Sequence, residues 1–294
     1  MRIGARGSDL AQVQARMIES MLNQAGFETE MIIISTHGDR VLDRPLNQLG
    51  TQGVFTKEIE DALVQDLIDL AVHSFKDVAS VQPGGLEIVA VTEREDCADL
   101  LIARPECCIA GEYFLPLRNK ATVGTSAVRR STQLKALRPD LEVLDLRGNV
   151  PTRLDKLRQK EYDAILLASA GVNRLQLNLS EFSVFRLDPQ KFLPSPGQGA
   201  LAIEMRVNDP FKAKVQSCLH HEATHQATVI ERGLLKCFGG GCSLPLGAWA
   251  HVENEEWRLQ AFWGGGFKPK WTSDIGTDTG KLVSEAFNEL SLSS

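Results

Sequence analysis

With 294 residues, 43% of them apolar and 24% charged, the chain has the balance of a soluble globular protein and the length of two or three domains. A net charge of −6 excludes a general polyanion binder, so any anion chemistry must come from local clusters of arginine. No apolar run is long enough to cross a bilayer, no leader-like stretch precedes the first strand pattern, and the six cysteines form no regular framework.

These features predict a cytoplasmic protein with free thiols and neither a membrane nor a nucleic-acid partner. In chain order, Arg2 to Ala5 reads as a short strand. Ser8 then reads as the N-cap of a helix with apolar positions Leu10, Val13, Met17 and Met21. Met31 to Ser35 is a second strand. Phe55 to Asp66 has helical spacing, with Phe55, Ile59, Leu63 and Leu67 on one face. Leu70 to His73 and Leu86 to Val91 complete the rhythm of a mostly parallel sheet flanked by helices.

The rhythm restarts at Ala121 to Gly124 (strand), Ser126 to Leu137 (helix), Leu141 to Leu146 (strand), Val150 to Lys160 (helix) and Ala164 to Leu167 (strand). Two such α/β units predict two similar lobes with a cleft between them, where strand ends and helix N-termini face a ligand. From Phe211, helices run to about Cys237. The strands Ala248 to Val252 and Trp257 to Phe262 then flank a Glu-Asn-Glu turn, which predicts a small α+β domain. Thr92 to Asp99 and Pro194 to Gly199 read as connections that let Ala200 to Val207 return to the first lobe. The expected division is 1–93 with 199–210, 98–193, and 211–294.

The chemistry-bearing residues gather at the ends of these strands. Val123 to Arg130 is a strand, a glycine, a Thr125-Ser126 cap and two arginines in a first helical turn. Orphan N–H groups and the guanidiniums of Arg129 and Arg130 thus converge where an anion would be welcome, a solvated surface pair being the alternative. Leu146 to Arg153 repeats the design, with Arg147 at a strand end, Pro151 in the first turn of the next helix and Arg153 beside it. Arg6 and Arg174 extend the pattern, which suits a ligand with several carboxylates or phosphates.

Val72 to Val78 follows a buried strand and carries Lys76 and Asp77. An Asp near cations stays ionised and can manage protons. A solvated Lys-Asp pair and a pyridoxal-phosphate Schiff base on Lys76 are the alternatives. Cys242 follows three glycines that leave its sulfur uncrowded. Buried packing competes with that reading, and so does metal binding together with Cys218, His220, His221, His225 and Cys237. The spacings fit no common zinc pattern, so no metal is expected.

Seven segments in order resemble the porphobilinogen deaminase (hydroxymethylbilane synthase) family. They are Arg6 to Ala11, Phe55 to Glu60, Val72 to Val78, Gly124 to Arg130, Arg147 to Arg153, Leu193 to Ala200 and Gly240-Gly241-Cys242. The resemblance implies two lobes like those of periplasmic binding proteins plus a third domain. It also implies a dipyrromethane cofactor linked to Cys242, and stepwise condensation of four porphobilinogen molecules into hydroxymethylbilane by a monomer.

By the same resemblance, Asp77 would be catalytic. Ser74, Lys76, Asp77, Thr125, Arg129, Arg130 and Arg153 would hold the cofactor. Arg6, Ser8, Gln14, Phe55, Arg147, Arg153, Arg174 and Gln198 would hold substrate. A polycarboxylate-binding protein without catalysis is the rival reading. Three positions depart from the family pattern: residues 47–53 carry no lysine, Ala127 replaces a serine, and Ala79 replaces a proline.

Overall fold

A computed structural model describes residues 1–36, 56–112, 114–241 and 243–292, so Phe55, Cys242 and the segment 47–53 lie outside the described residues. The chain divides into two compact units. The first gathers Met1–Glu95 and Gly197–Val229 with the glycines at 240 and 241, and the second gathers Asp96–Pro196, Ile230–Gly239 and Ser243–Ser294.

The sheet of the first unit has the order β2-β1-β3-β10-β4, from β1 (Arg2–Arg6), β2 (Glu30–Ile34), β3 (Leu70–Ser74), β4 (Leu86–Val91) and β10 (Leu201–Arg206). β1, β2 and β3 run parallel, while β10 is antiparallel to both β3 and β4. The expected mostly parallel sheet is therefore mixed. The three parallel strands are joined through helices, whereas β10 enters from a distant part of the chain and is free to run the other way.

Helix α1 (Asp9–Gln24) starts at Ser8, whose hydroxyl accepts from Ala11 N–H. Its buried face is Gln14, Ala15, Ile18 and Leu22, about one residue round from the expected stripe, and Met17 and Met21 are exposed. The shift seats the Gln14 amide against Ser74 (Nε2 to Oγ, 2.9 Å), a polar contact that hydrophobic spacing does not report. Helix α2 (Lys57–Val64) buries Ile59 and Leu63 as expected. Leu67 is exposed because the helix has ended and Asp66, at φ 57°, turns the chain away.

The second unit repeats the topology. Its sheet runs β7-β6-β8-β5-β9, from β5 (Asp99–Ala103), β6 (Thr122–Gly124), β7 (Glu142–Leu144), β8 (Ala164–Ala168) and β9 (Ser183–Arg186). Again three strands are parallel, and a fourth, β5, is antiparallel to its two neighbours. The sequence reading contained neither β5 nor β9, having treated Asp99 as the end of a connection.

Helices α3 (Val128–Leu137), α4 (Val150–Arg158) and α5 (Ser169–Arg174) follow β6, β7 and β8. α4 is capped by Asn149, whose Oδ1 accepts from Thr152 N–H at 2.9 Å. α3 starts later than expected, at Ala127, which offers no side-chain cap.

The remaining elements are α6 (Lys212–Leu219), α7 (Glu222–Cys237) and an antiparallel sheet of β11 (Leu246–Glu253), β12 (Glu256–Trp263) and β13 (Lys270–Gly276). The β11–β12 turn places Asn254 and Glu255 at φ 50° and 67°, the left-handed pair of a tight hairpin. Helix α8 (Thr279–Ser291), absent from the sequence reading together with β13, packs on β13 and β12.

Candidate functional site

In the first unit the site residues gather where β1 and β3 end. β3 runs into a single 3₁₀ turn, Phe75–Asp77, so the Ser74, Lys76 and Asp77 side chains emerge together at the carboxyl edge of the sheet. Arg6, Ser8, Gln14, Ser74 and Asp77 line one recess with Thr56 and His73. Five of the residues expected from the sequence therefore share one wall, and the two companions were not assigned a role.

A second loop presses on this turn. At Gly197, φ is 74°, and an added Cβ would lie 3.4 Å from the backbone and Cβ of Phe75. At Gly199 an added Cβ would fall 2.2 Å from Glu95 O, a clash only glycine avoids. This close approach buries Gln198 (1% exposed) and lets its Oε1 accept from Lys76 Nζ at 3.2 Å. The backbone carbonyl of Gln198 accepts from Arg94 Nε at 2.8 Å.

Gly240, two residues before Cys242 in the chain, also belongs here. At φ 71°, its added Cβ would sit 2.2 Å from Ser80 Oγ, three residues beyond Asp77.

In the second unit the paired arginines do find an anion, but within the protein. Asp99, at the start of β5, is fully buried. Its Oδ2 lies 2.8 Å from Arg129 Nη1, and its Oδ1 accepts from Arg130 Nη2 at 2.7 Å and Nε at 3.1 Å. Burial opposes the charge on Asp99, yet the two guanidiniums win and hold its carboxyl well below the usual range. Burial also pushes the Arg129 guanidinium downward, against the raising influence of Asp99.

Arg129 Nη1 also donates to Leu193 O at 2.7 Å, and Arg130 Nη1 to Leu166 O at 3.0 Å, so the pair fastens the helix start to two neighbouring segments. Asp99 escaped the sequence reading, although an acid opening the otherwise apolar run Asp-Leu-Leu-Ile-Ala was a usable signal.

Thr125 is buried and its hydroxyl accepts from Ala127 N–H at 3.3 Å. Arg147 is half-buried, and its Nη1 is a buried donor with no hydrogen-bond partner among the described residues. Arg153 folds back so that Nε donates to Gly148 O at 2.7 Å, over a glycine at φ 115°. Arg174, at the end of α5, is half-buried.

The histidine cluster is the remaining sequence candidate. His220, Glu222 and His225 hold their ligand atoms within 4.8 Å of one another. His220 Nδ1 accepts from Val91 N–H at 3.4 Å, which leaves the proton on Nε2, 3.2 Å from Glu222 Oε2. Both ring nitrogens are thus engaged in joining the end of β4 to the first turn of α7.

The family model described as "Porphobilinogen deaminase, dipyromethane cofactor binding domain" matches residues 1–214. Relatives named porphobilinogen deaminase include that of Syntrophobacter fumaroxidans, 44% identical over 86% of this chain and 80% of its own length. The Roseiflexus sp. protein is 44% identical over 89% and 85%, and that of Chlorobium luteolum is 43% identical over 89% and 82%. Among solved structures, a periplasmic binding protein of Salmonella typhimurium aligns at a TM-score of 0.42 and 9% identity, covering 78% of this chain and 93% of that one.

Proposed function

The chain belongs to the porphobilinogen deaminase family, and from that premise we propose that it is a hydroxymethylbilane synthase, a transferase working as a cytoplasmic monomer. Its cofactor is a dipyrromethane carried on Cys242, which supplies the pyrrole carbon onto which four porphobilinogen units are joined with loss of ammonia before hydrolysis frees the linear tetrapyrrole. The observation that carries this reading is the contact of Gly240 with Ser80. It brings the glycine run preceding Cys242 to the segment that follows Asp77.

The residues present suit such a group. Lys76, anchored by Gln198, and Ser74, anchored by Gln14, offer donors to pyrrole carboxylates beside Asp77. Asp77 accepts from pyrrole N–H groups and stabilises positive charge developing on the substrate methylene when ammonia departs. Arg129 and Arg130 share the single carboxylate of Asp99, which leaves one positive charge in excess at the start of α3 for a cofactor carboxylate, with Thr125 alongside. Arg153 completes that set.

Substrate acetate and propionate groups fall to Arg6, Ser8, Gln14, Arg147, Arg153 and Arg174, with Phe55 and Gln198 against the rings. The unsatisfied Nη1 of Arg147 is a donor suited to that task.

Intact-mass measurement of protein made with porphobilinogen supplied tests the proposal. The expected result is an excess matching two linked pyrroles, lost in Cys242→Ala. In Gly240→Ala the loaded fraction is expected to fall several-fold, because a side chain at φ 71° is strained and the new Cβ forces the Ser80 hydroxyl to move. An unmodified wild-type mass overturns the reading.

A further inference from the structure

Behind the recess wall, three titratable side chains are buried together. His73 on β3 lines the recess and is 5% exposed. Its Nε2 lies 3.1 Å from Oε2 of Glu204, which is fully buried on β10. β10 sets Ala202 opposite His73 and Glu204 opposite Ala71, so the His73 and Glu204 side chains leave the same face of the sheet on the diagonal. The other oxygen of Glu204, Oε1, has no hydrogen-bond partner among the described residues.

Glu60 comes from α2, which packs on this face, and is 8% exposed. Its carboxyl is pushed above the ordinary range, first by burial, with the charge of Glu204 adding to the rise. The Thr56 hydroxyl and His73 oppose it.

Two carboxyls and one imidazole lie close together with little water between them. A proton bound by one changes the cost of charging the others, and the protons belong to the set. The His73–Glu204 contact also fixes the ring, because a proton must sit between Nε2 and Oε2 for the bond to exist. That arrangement resembles the carboxylate–imidazole pairs in which an acid orients a histidine for proton transfer.

We propose that Glu60, His73 and Glu204 form one proton-sharing unit that opens onto the recess at His73 and takes up and returns protons for the chemistry at Asp77. The inference rests on the reaction proposed above. Each condensation makes one carbon–carbon bond and breaks one carbon–nitrogen bond. Ammonia departs first and takes a proton with it, and the pyrrole carbon gives up its own proton only after the carbon–carbon bond has formed. A carrier in the wall that also holds Asp77 can lend the first proton and be refilled by the second. Glu60 and Glu204 are positioning residues in this scheme. The charged groups facing His73 are Glu204 on the neighbouring strand, Glu60 on α2, and Arg6 and Asp77 on the recess wall, and Asp61 acts on Glu60 from the same helix.

The test is a titration of the histidine rings by NMR on dipyrromethane-loaded protein, with His73 assigned through His73→Gln and the pH profile of kcat/KM recorded alongside. Glu204→Gln is expected to lower the His73 midpoint by about one pH unit or more, since an opposite charge in contact is removed. Glu60→Gln should lower it by less, and the matching limb of kcat/KM should follow. A His73 midpoint unchanged in both variants overturns the proposal. Absence of turnover in the wild type while the midpoint still moves overturns the proposed reaction and leaves the proton-sharing unit standing. Glu204→Asp serves if the amide variant fails to fold.

Discussion

Each five-stranded sheet places one antiparallel strand beside the third of its parallel strands, and each such strand buries a carboxylate, Asp99 on β5 and Glu204 on β10. The two are neutralised in opposite ways. Asp99 meets two guanidiniums, and its carboxyl is held far down. Glu204 meets an imidazole and a second acid, and the second acid, Glu60, is held up. The first arrangement has excess positive charge, and the second has excess acid, with Glu60 the carboxyl held up. One topology therefore supplies both a charge clamp and a titratable set, according to which side chains face the buried acid.

Breaking the clamp should cost most. Asp99→Asn leaves two buried guanidiniums without their anion, and the expected loss is about 3–5 kcal/mol in urea unfolding. Under the proposed cofactor binding at Arg129 and Arg130, the loss should be smaller in cofactor-loaded protein, because a ligand carboxylate would partly replace the missing charge. A loss below about 1 kcal/mol would mean the arginines find other partners. The clamp also predicts acid sensitivity. A depressed folded pKa contributes stability that is present above the unfolded value of about 3.9 and is lost as pH falls toward the folded one. Acid unfolding of the wild type should therefore be steep below about pH 4 and flatter in Asp99→Asn.

The titratable set predicts the reverse sign. The carboxyl of Glu60 is raised, so its contribution is full below the unfolded value and is lost as pH rises through the folded one. Glu60→Gln should thus gain stability relative to wild type as pH climbs from about 4.3 toward neutrality. A difference that stays constant between acid and neutral denaturation curves would sink this account.

The smallest effects concern the helix starts of the second unit. Asn149→Ala removes the cap of α4 and should cost about 1 kcal/mol, while Ala127→Ser should return roughly 0.5–1 kcal/mol to α3. Equal and negligible changes in thermal unfolding would show that both starts are held by their arginines instead.

Much of the fold could be read from local pattern. Ser8 and Asn149 announce helix starts because a short polar side chain satisfies an orphan N–H wherever it occurs. β3 and β8 are recognisable because strands buried on both faces are continuous apolar runs. β9, with burial alternating along only four residues, offered too short a pattern, and β5 was hidden by the charge at its first position. The recess was legible in part. Arg6, Ser74 and Asp77 stand at strand ends, whereas Thr56 and His73 became neighbours of that site only through packing.

The sequence by itself determined which residues carry charge, where most of the strands and helices lie, and where glycines permit close approach, since each of these depends largely on neighbours within a few positions. Only the tertiary structure decided the partners. Asp99 and Arg129 are 30 residues apart, and Glu204 and His73 are 131 apart. Those pairings exist because an antiparallel strand arrives beside a parallel one, and no local pattern encodes that arrival. The same physics explains the sheets, which share one topology without a repeated sequence: what recurs is the order in which apolar runs are buried, and many side chains satisfy it.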